Sequence, residues 1–186
     1  MRLAHYARGL FFVLREGMDD EMRIDVFTPK DCSEFDVYAF AALIKKGGRV
    51  NPEGLEKRIC QAHKLAFCRI ADEIISVAAV KRPYKKYINK VFQNASAGIS
   101  PEPYTLEYGW VFTRVDYGNR GYASATASAL LRNLVSPVFA TTQGDNIAMQ
   151  NILEKNRFEH VGSPYRGREN LLVLYVRGIW SPNDSL

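Results

Sequence analysis

The sequence predicts a single mixed α/β domain, and three observations carry that expectation. Its 186 residues match one domain at the usual length of about 100–200 residues. Hydrophobic residues make up 47%, enough to bury a core without disulfides or a structural metal. Segments with a two-residue period and segments with a helical period are mixed along most of the chain, paired strands early and a strand–helix–strand–helix–strand run late.

The elements follow in order. Residues 1–21 show no clean period and read as an extension of uncertain structure, so the domain is expected over 22–180, with 181–186 a tail. Residues 23–28 alternate Ile24 and Val26 with charged neighbours, a short strand stopped by Pro29. Ser33 offers an N-cap to a helix that runs through Phe35 and Ile44 and ends at Gly47-Gly48. Pro52 suits the first turn of a second helix carrying Leu55, Ile59 and Ala62. Residues 65–70 and 74–80 are β-rich and joined by Ala71-Asp72-Glu73, a hairpin. After Pro83, residues 84–95 place Tyr87, Ile88, Val91 and Phe92 on one helical face with lysines opposite. Residues 105–115 form the strongest strand signal, and 123–135 an Ala/Leu-rich helix closed by Pro137. A strand at 138–142, a helix at 146–156 and strands at 158–161 and 171–176 complete the chain.

Composition narrows the function classes. Lys and Arg number 25 against 20 Asp and Glu, a formal charge of +5 and a pI near 9.1. That surplus suits anionic ligands such as a nucleotide, or simply a soluble basic surface. Cys32, Cys60 and Cys68 include no C-x-x-C pair, and His5, His63 and His160 add no metal spacing, so no metal site is expected. The apolar run Leu10-Phe11-Phe12-Val13-Leu14 is too short to span a bilayer, and no small-residue cleavage site follows it. A cytoplasmic protein with no membrane partner is the expectation.

The chemistry concentrates at residues 110–124, where a strand runs into a turn holding Gly118 and Gly121 and a helix follows directly. Glycine permits positive φ and close ligand approach. A helix start offers unpaired N–H groups and the positive end of the dipole, which together bind phosphate. An anion site at residues 118–124 follows; the alternative is a tight strand-to-helix turn with no ligand. The loop lacks the Gly-Lys-Ser/Thr of a P-loop and is no G-x-G-x-x-G fingerprint.

Gly118-Asn119-Arg120-Gly121-Tyr122-Ala123 resembles the Arg/Gln-x-x-Gly-x-Gly/Ala loop of the GNAT acyltransferases, departing where Gly118 replaces Arg or Gln. Asn146 and Phe158 match the ends of that family's Asn-x-x-Ala-x-x-x-Tyr-x-x-x-Gly-Phe helix, while Met149, Leu153 and Arg157 do not. The resemblance implies a central, mostly antiparallel sheet with helices on both faces. It implies an N-acetyltransferase that moves an acetyl group from acetyl-CoA to a primary amine of a small molecule or protein by direct attack on the thioester. Relative to the minimal family core, residues 84–95 look like an insertion. Backbone groups of Gly118, Asn119, Arg120, Gly121, Tyr122, Ala123 and Ser124 are the implied pyrophosphate cradle, and Val111, Phe112 and Thr113 the implied pantetheine contact. Asn146 is either a further pantetheine contact or a plain N-cap. The family's tyrosine acid falls on Leu153; Tyr165 and Tyr122 are alternatives without a spacing argument. Family members are often dimeric, which extends to a homodimer here.

Period two over 105–113 puts Leu106, Tyr108, Trp110 and Phe112 on an apolar face and Thr105, Glu107, Gly109, Val111 and Thr113 on a small or polar one. A bulge, common in this strand of the family, would slip that division by one residue. Glu107 is the candidate general base for the acceptor ammonium, or an ordinary carboxylate paired with a Lys or Arg. Two other functions compete. Lys81, Arg82, Lys85, Lys86 and Lys90, interleaved with Tyr84 and Tyr87, could meet nucleic acid or form a solvated helix face. The departures from both motifs also admit a CoA-binding module without catalysis.

Overall fold

The computed structural model describes residues 22–178, so the expectations for 1–21 and 181–186 lie outside the described residues. Seven strands form one sheet: β1 (Arg23–Phe27), β2 (Lys64–Ile70), β3 (Glu73–Lys81), β4 (Leu106–Thr113), β5 (Val138–Gln143), β6 (Glu159–Arg166) and β7 (Leu171–Arg177). Their order is β1-β2-β3-β4-β5-β7-β6. Every pair is antiparallel except β4 with β5. The mostly antiparallel α/β arrangement implied by the resemblance is the one observed.

Helices cover both faces. On one side α1 (Glu34–Lys46) and α2 (Leu55–Cys60) bury Phe40, Ile44, Leu55 and Ile59 against Phe67, Val77 and Ala79. A capping box between Ser33 and Asp36 starts α1. Next to them α3 (Lys85–Asn94) seats Ile88, Val91 and Phe92 on Phe139, Leu174 and Val176. On the other side α4 (Tyr122–Leu131) and α5 (Ile147–Lys155) close a cluster of Ala127, Leu130, Leu131 and Leu153 over Leu106, Tyr108 and Ala140.

Four elements differ from expectation. Helix α2 opens at Leu55 rather than Pro52, because Gly54 stands at φ 60° and a left-handed residue cannot continue a helix backwards. Helix α4 stops at Leu131, four residues early; Pro137 disfavours helical backbone at Ser136, and the stretch between is turn. Strand β6 runs on to Arg166 through a bulge between Val161 and Tyr165. Gly162 makes that bulge feasible: it has φ +71°, and a Cβ there would lie 2.1 Å from the Ala95 carbonyl oxygen. The end of α3 thus docks on the bulged strand, where Ser163 N–H donates to Ala95 O at 2.7 Å.

The fourth difference corrects the face assignment of β4. Trp110 has φ 49°, and the register steps from Val77↔Phe112 to Ala79↔Gly109, so two β4 residues oppose one of β3. The extra residue inverts the alternation. Leu106 and Tyr108 face α4 and α5, whereas Trp110 and Phe112 pack with α1 on the opposite side, and Val111 takes their place. The predicted continuous apolar face is therefore split at the bulge.

Candidate functional site

Strands β4 and β5 pair only through Leu106↔Val138, Glu107↔Phe139 and Tyr108↔Ala140. Beyond Tyr108 the bulge turns β4 away, and a wedge opens between the two strands. A cavity of about 460 Å³ fills this wedge, lined by residues 108–111 of β4, residues 140–143 of β5, Asn146, Met149 and Leu153 of the α5 region, and Arg49, Val50, Asn51 and Arg58 from the far side. That volume lies within the range of small-ligand sites, about 300–1,000 Å³. Val111 lines it; Phe112 and Thr113 continue the strand toward the loop, with the Thr113 hydroxyl 2.7 Å from that of Ser76.

After β4 the chain makes a 3-10 turn at Val115–Tyr117 and then the glycine loop. Asn119 (φ 58°) and Gly121 (φ 84°) are both left-handed, and Gly121 is the N-cap of α4. Gly118 N–H donates to Val115 O at 3.0 Å and Ala125 N–H to Gly121 O at 2.9 Å. Between them, among the described residues, the N–H groups of Asn119, Arg120, Gly121, Tyr122, Ala123 and Ser124 have no backbone acceptor. Such an arc at a helix N-terminus suits a polyphosphate. A Cβ at Gly121 would meet nothing within 4 Å, so the space above the loop is open. Tyr122 offers only its backbone to this arc. The Tyr122 side chain is buried with Ile24, Cys68 and Ile75, and the Arg120 guanidinium lies over the Tyr117 ring at 5.9 Å. Burial also removes Tyr122 as an alternative acid.

Glu107 stands at the closed end of the wedge, 4% exposed. Its Oε2 is 2.8 Å from Lys81 Nζ, and its Oε1 accepts from the Tyr87 hydroxyl at 3.3 Å. Lys81 also lies over the Trp110 ring at 5.4 Å. The carboxylate is therefore both cleft-lining and ion-paired. Burial first, and Glu107's charge second, raise the Tyr87 phenol above its ordinary range and push Tyr165 up to about 12. Tyr87 is 42% exposed along its ring, yet its hydroxyl end reaches the buried carboxylate. Tyr108 also lines the cavity; burial raises its phenol too, and its hydroxyl has no partner.

Asn146 caps α5 through its Oδ1, which accepts from Met149 N–H at 3.1 Å, and it lines the cavity as well. Burial is the largest cause raising the thiols of Cys32 to about 12 and of Cys68 to about 11, so neither offers a thiolate at neutral pH. Among the described residues, no histidine lines the cavity. Among the described residues, no group of three or more His, Cys, Asp or Glu side chains is placed to hold a metal ion, and no helix is long and apolar enough to cross a membrane.

Sequence reasoning missed Lys81 and Tyr87 as site residues. Both fall in the basic, tyrosine-bearing stretch read as a nucleic-acid candidate. Lys81 is the last residue of β3 and faces Glu107 in register, a pairing visible only once β3 and β4 are aligned. Two other members of the stretch pair away from the cleft: Arg82 contacts His63 at 2.8 Å and Lys85 pairs with Glu102 at 3.0 Å.

No protein-family model matches the sequence, and no curated protein sequence matches it. Solved structures do match by shape. A GNAT-family acetyltransferase from Streptococcus agalactiae superposes with a TM-score of 0.61 at 13% identity, covering 83% of this chain and 95% of its own. Escherichia coli ElaA gives 0.63 at 13% identity, covering 84% of this chain and 99% of its own. Salmonella typhimurium yncA, a putative acetyltransferase solved with its cofactor acetyl-CoA, gives 0.53 at 15% identity, covering 85% and 94%. At these identities the likeness is one of fold: the chain has the GNAT acyltransferase fold over most of its length.

Proposed function

We propose that this protein is an N-acetyltransferase that moves an acetyl group from acetyl-CoA to a primary amine by direct transfer. One observation carries the reading above the others: a wedge between β4 and β5 opens beside a buried carboxylate, and β4 runs on from it along the chain to an arc of N–H groups without backbone acceptors at the start of α4. A ligand with a diphosphate at one end and a reactive thioester at the other suits that arrangement. Asn119 to Ser124 would hold the diphosphate through backbone N–H groups, with Gly121 admitting it closely. The backbone of Val111, Phe112 and Thr113 would accompany the pantetheine arm, and Asn146 would meet it from the α5 side.

Acetyl-CoA, when bound, supplies the activated acyl carbon. Glu107 takes a proton from the acceptor ammonium, directly or through one water, freeing the lone pair that attacks the carbonyl. The new C–N bond forms as the C–S bond breaks, and the electron pair leaves on sulfur as the coenzyme thiolate. Tyr87 and Lys81 hold the carboxylate in place, acting on its position rather than on the reacting atoms. Leu153 stands where a tyrosine acid would be, so the thiolate takes its proton from elsewhere. Among the described residues, no cysteine and no histidine lines the cleft, which favours direct transfer over an acyl-enzyme.

Thiol release from acetyl-CoA in the presence of an amine panel tests the reading. Amine-dependent release that saturates in both substrates is expected; tight acetyl-CoA binding with no release on any amine would reduce the protein to a binding module.

A further inference from the structure

We propose that the acceptor is an amine that also carries a carboxylate, and that Arg49 and Arg58 hold that carboxylate. The inference rests on the acetyltransferase reading and adds the chemical class of its second substrate.

The charges lining the cavity are Arg49, Arg58, Lys81 and Glu107. Lys81 and Glu107 neutralise each other at 2.8 Å. Two guanidiniums are left, and among the described residues no carboxylate pairs with either. Arg49 is exposed and has no hydrogen-bond or ion-pair partner there. Arg58 spends one end bracing the loop that carries Arg49: its Nη2 donates to the carbonyls of Asn51 and Glu53. Its Nε is buried with no acceptor at all. A buried donor without a partner costs stability unless something meets it. Guanidinium is the group best shaped for a carboxylate.

Position separates this pair from the coenzyme's phosphates. The free N–H arc leads into α4, on one face of the sheet, whereas Arg49 and Arg58 come from the α1–α2 loop and α2 on the other. An acceptor carrying only positive charge would enter a cleft of excess positive potential. One with a carboxylate cancels that excess and can direct its ammonium toward Glu107 and Tyr87.

Calorimetry comes first: acetyl-CoA is titrated into wild type, Arg49→Ala and Arg49→Lys. Thiol release at saturating acetyl-CoA is then compared for free amino acids, their carboxamides and linear diamines. N-acetylated amino acids and their amides are titrated into the CoA-loaded protein as a readout that needs no turnover. We expect kcat/KM for the best free amino acid to exceed that of its amide by about tenfold or more, the worth of one charge-assisted contact. Arg49→Ala should erase about ten- to hundredfold of it, mostly in KM, while acetyl-CoA affinity and amide turnover stay within about twofold. Arg49→Lys should keep part of the preference, since the charge remains and the fork is lost. Amides or diamines that turn over as well as the acids would overturn the proposal. So would an Arg49→Ala protein weakened equally toward acetyl-CoA and every acceptor, which would assign the arginine to the coenzyme. Wild type that fails to bind acetyl-CoA would instead defeat the underlying reading, before any acceptor is added.

Discussion

Glu107 sits in β4 opposite Lys81, and its neighbours decide what it can do. One oxygen is ion-paired with Lys81 and the other accepts a hydrogen bond from Tyr87, which holds the carboxylate beside the bulge where the cleft opens. Replacing it with Gln keeps the size and leaves the diphosphate loop untouched. Acetyl-CoA affinity should therefore stay within about twofold while turnover at neutral pH falls roughly 10²–10⁴-fold, the usual worth of a positioned base. The deficit should shrink as pH rises, because above the acceptor's own pKa the amine arrives already deprotonated. A pH–rate profile for Glu107→Gln against wild type checks both points; equal rates at neutral pH would remove Glu107 from proton transfer. Glu107 was readable from sequence as a residue on the small or polar face of a strong strand. Lys81 and Tyr87 were not, because one depends on cross-strand register and the other on how α3 docks. Arg49 and Arg58, in a loop and a short helix with no motif, gave no signal.

Elements were legible where local pattern and packing agree. The alternation in β1, the Ser33 N-cap and the Gly47-Gly48 stop of α1 all have local causes, and the structure reproduces them. Boundaries slipped where a left-handed residue or a bulge intervened, at Gly54, Trp110 and Gly162, since period alone does not reveal a single inverted φ. Trp110 has the largest consequence: one extra residue moves two aromatics across the sheet and opens the wedge. The end of α5 shows a related effect. Arg157, where the GNAT pattern reads Gly, adopts φ 64° directly after the Asn156 cap. Left-handed backbone costs a non-glycine residue about 1 kcal/mol, and Gly is the preferred residue at such helix ends. Arg157 also bears on Arg177, whose pKa is lowered by burial and then by this like charge. Arg157→Gly should thus stabilise the protein by about 1 kcal/mol in denaturant unfolding. A loss of stability would mean that Arg157 makes contacts worth more than its strain.

At the scale of the whole molecule, the proposed function divides two tasks between the two faces of one sheet. The α4–α5 face presents backbone donors at a helix start, and the α1–α2 face presents charged side chains to the cleft that opens at the bulge in β4. The mixed α/β class was legible from the order of elements, whereas the mostly antiparallel sheet with helices on both faces was implied by the resemblance of two short motifs. The account stands on the coenzyme's diphosphate lying over the loop before α4. Calorimetric titration of acetyl-CoA into wild type, Gly121→Asn and Gly121→Glu tests this most directly. Asn tolerates the left-handed φ of 84° and has open space around its Cβ, so that variant should fold and bind with modest loss. Glu adds a negative charge at the same point, and binding should disappear while far-UV circular dichroism stays that of the wild type. A folded Gly121→Glu protein that binds acetyl-CoA as tightly as wild type would contradict the account.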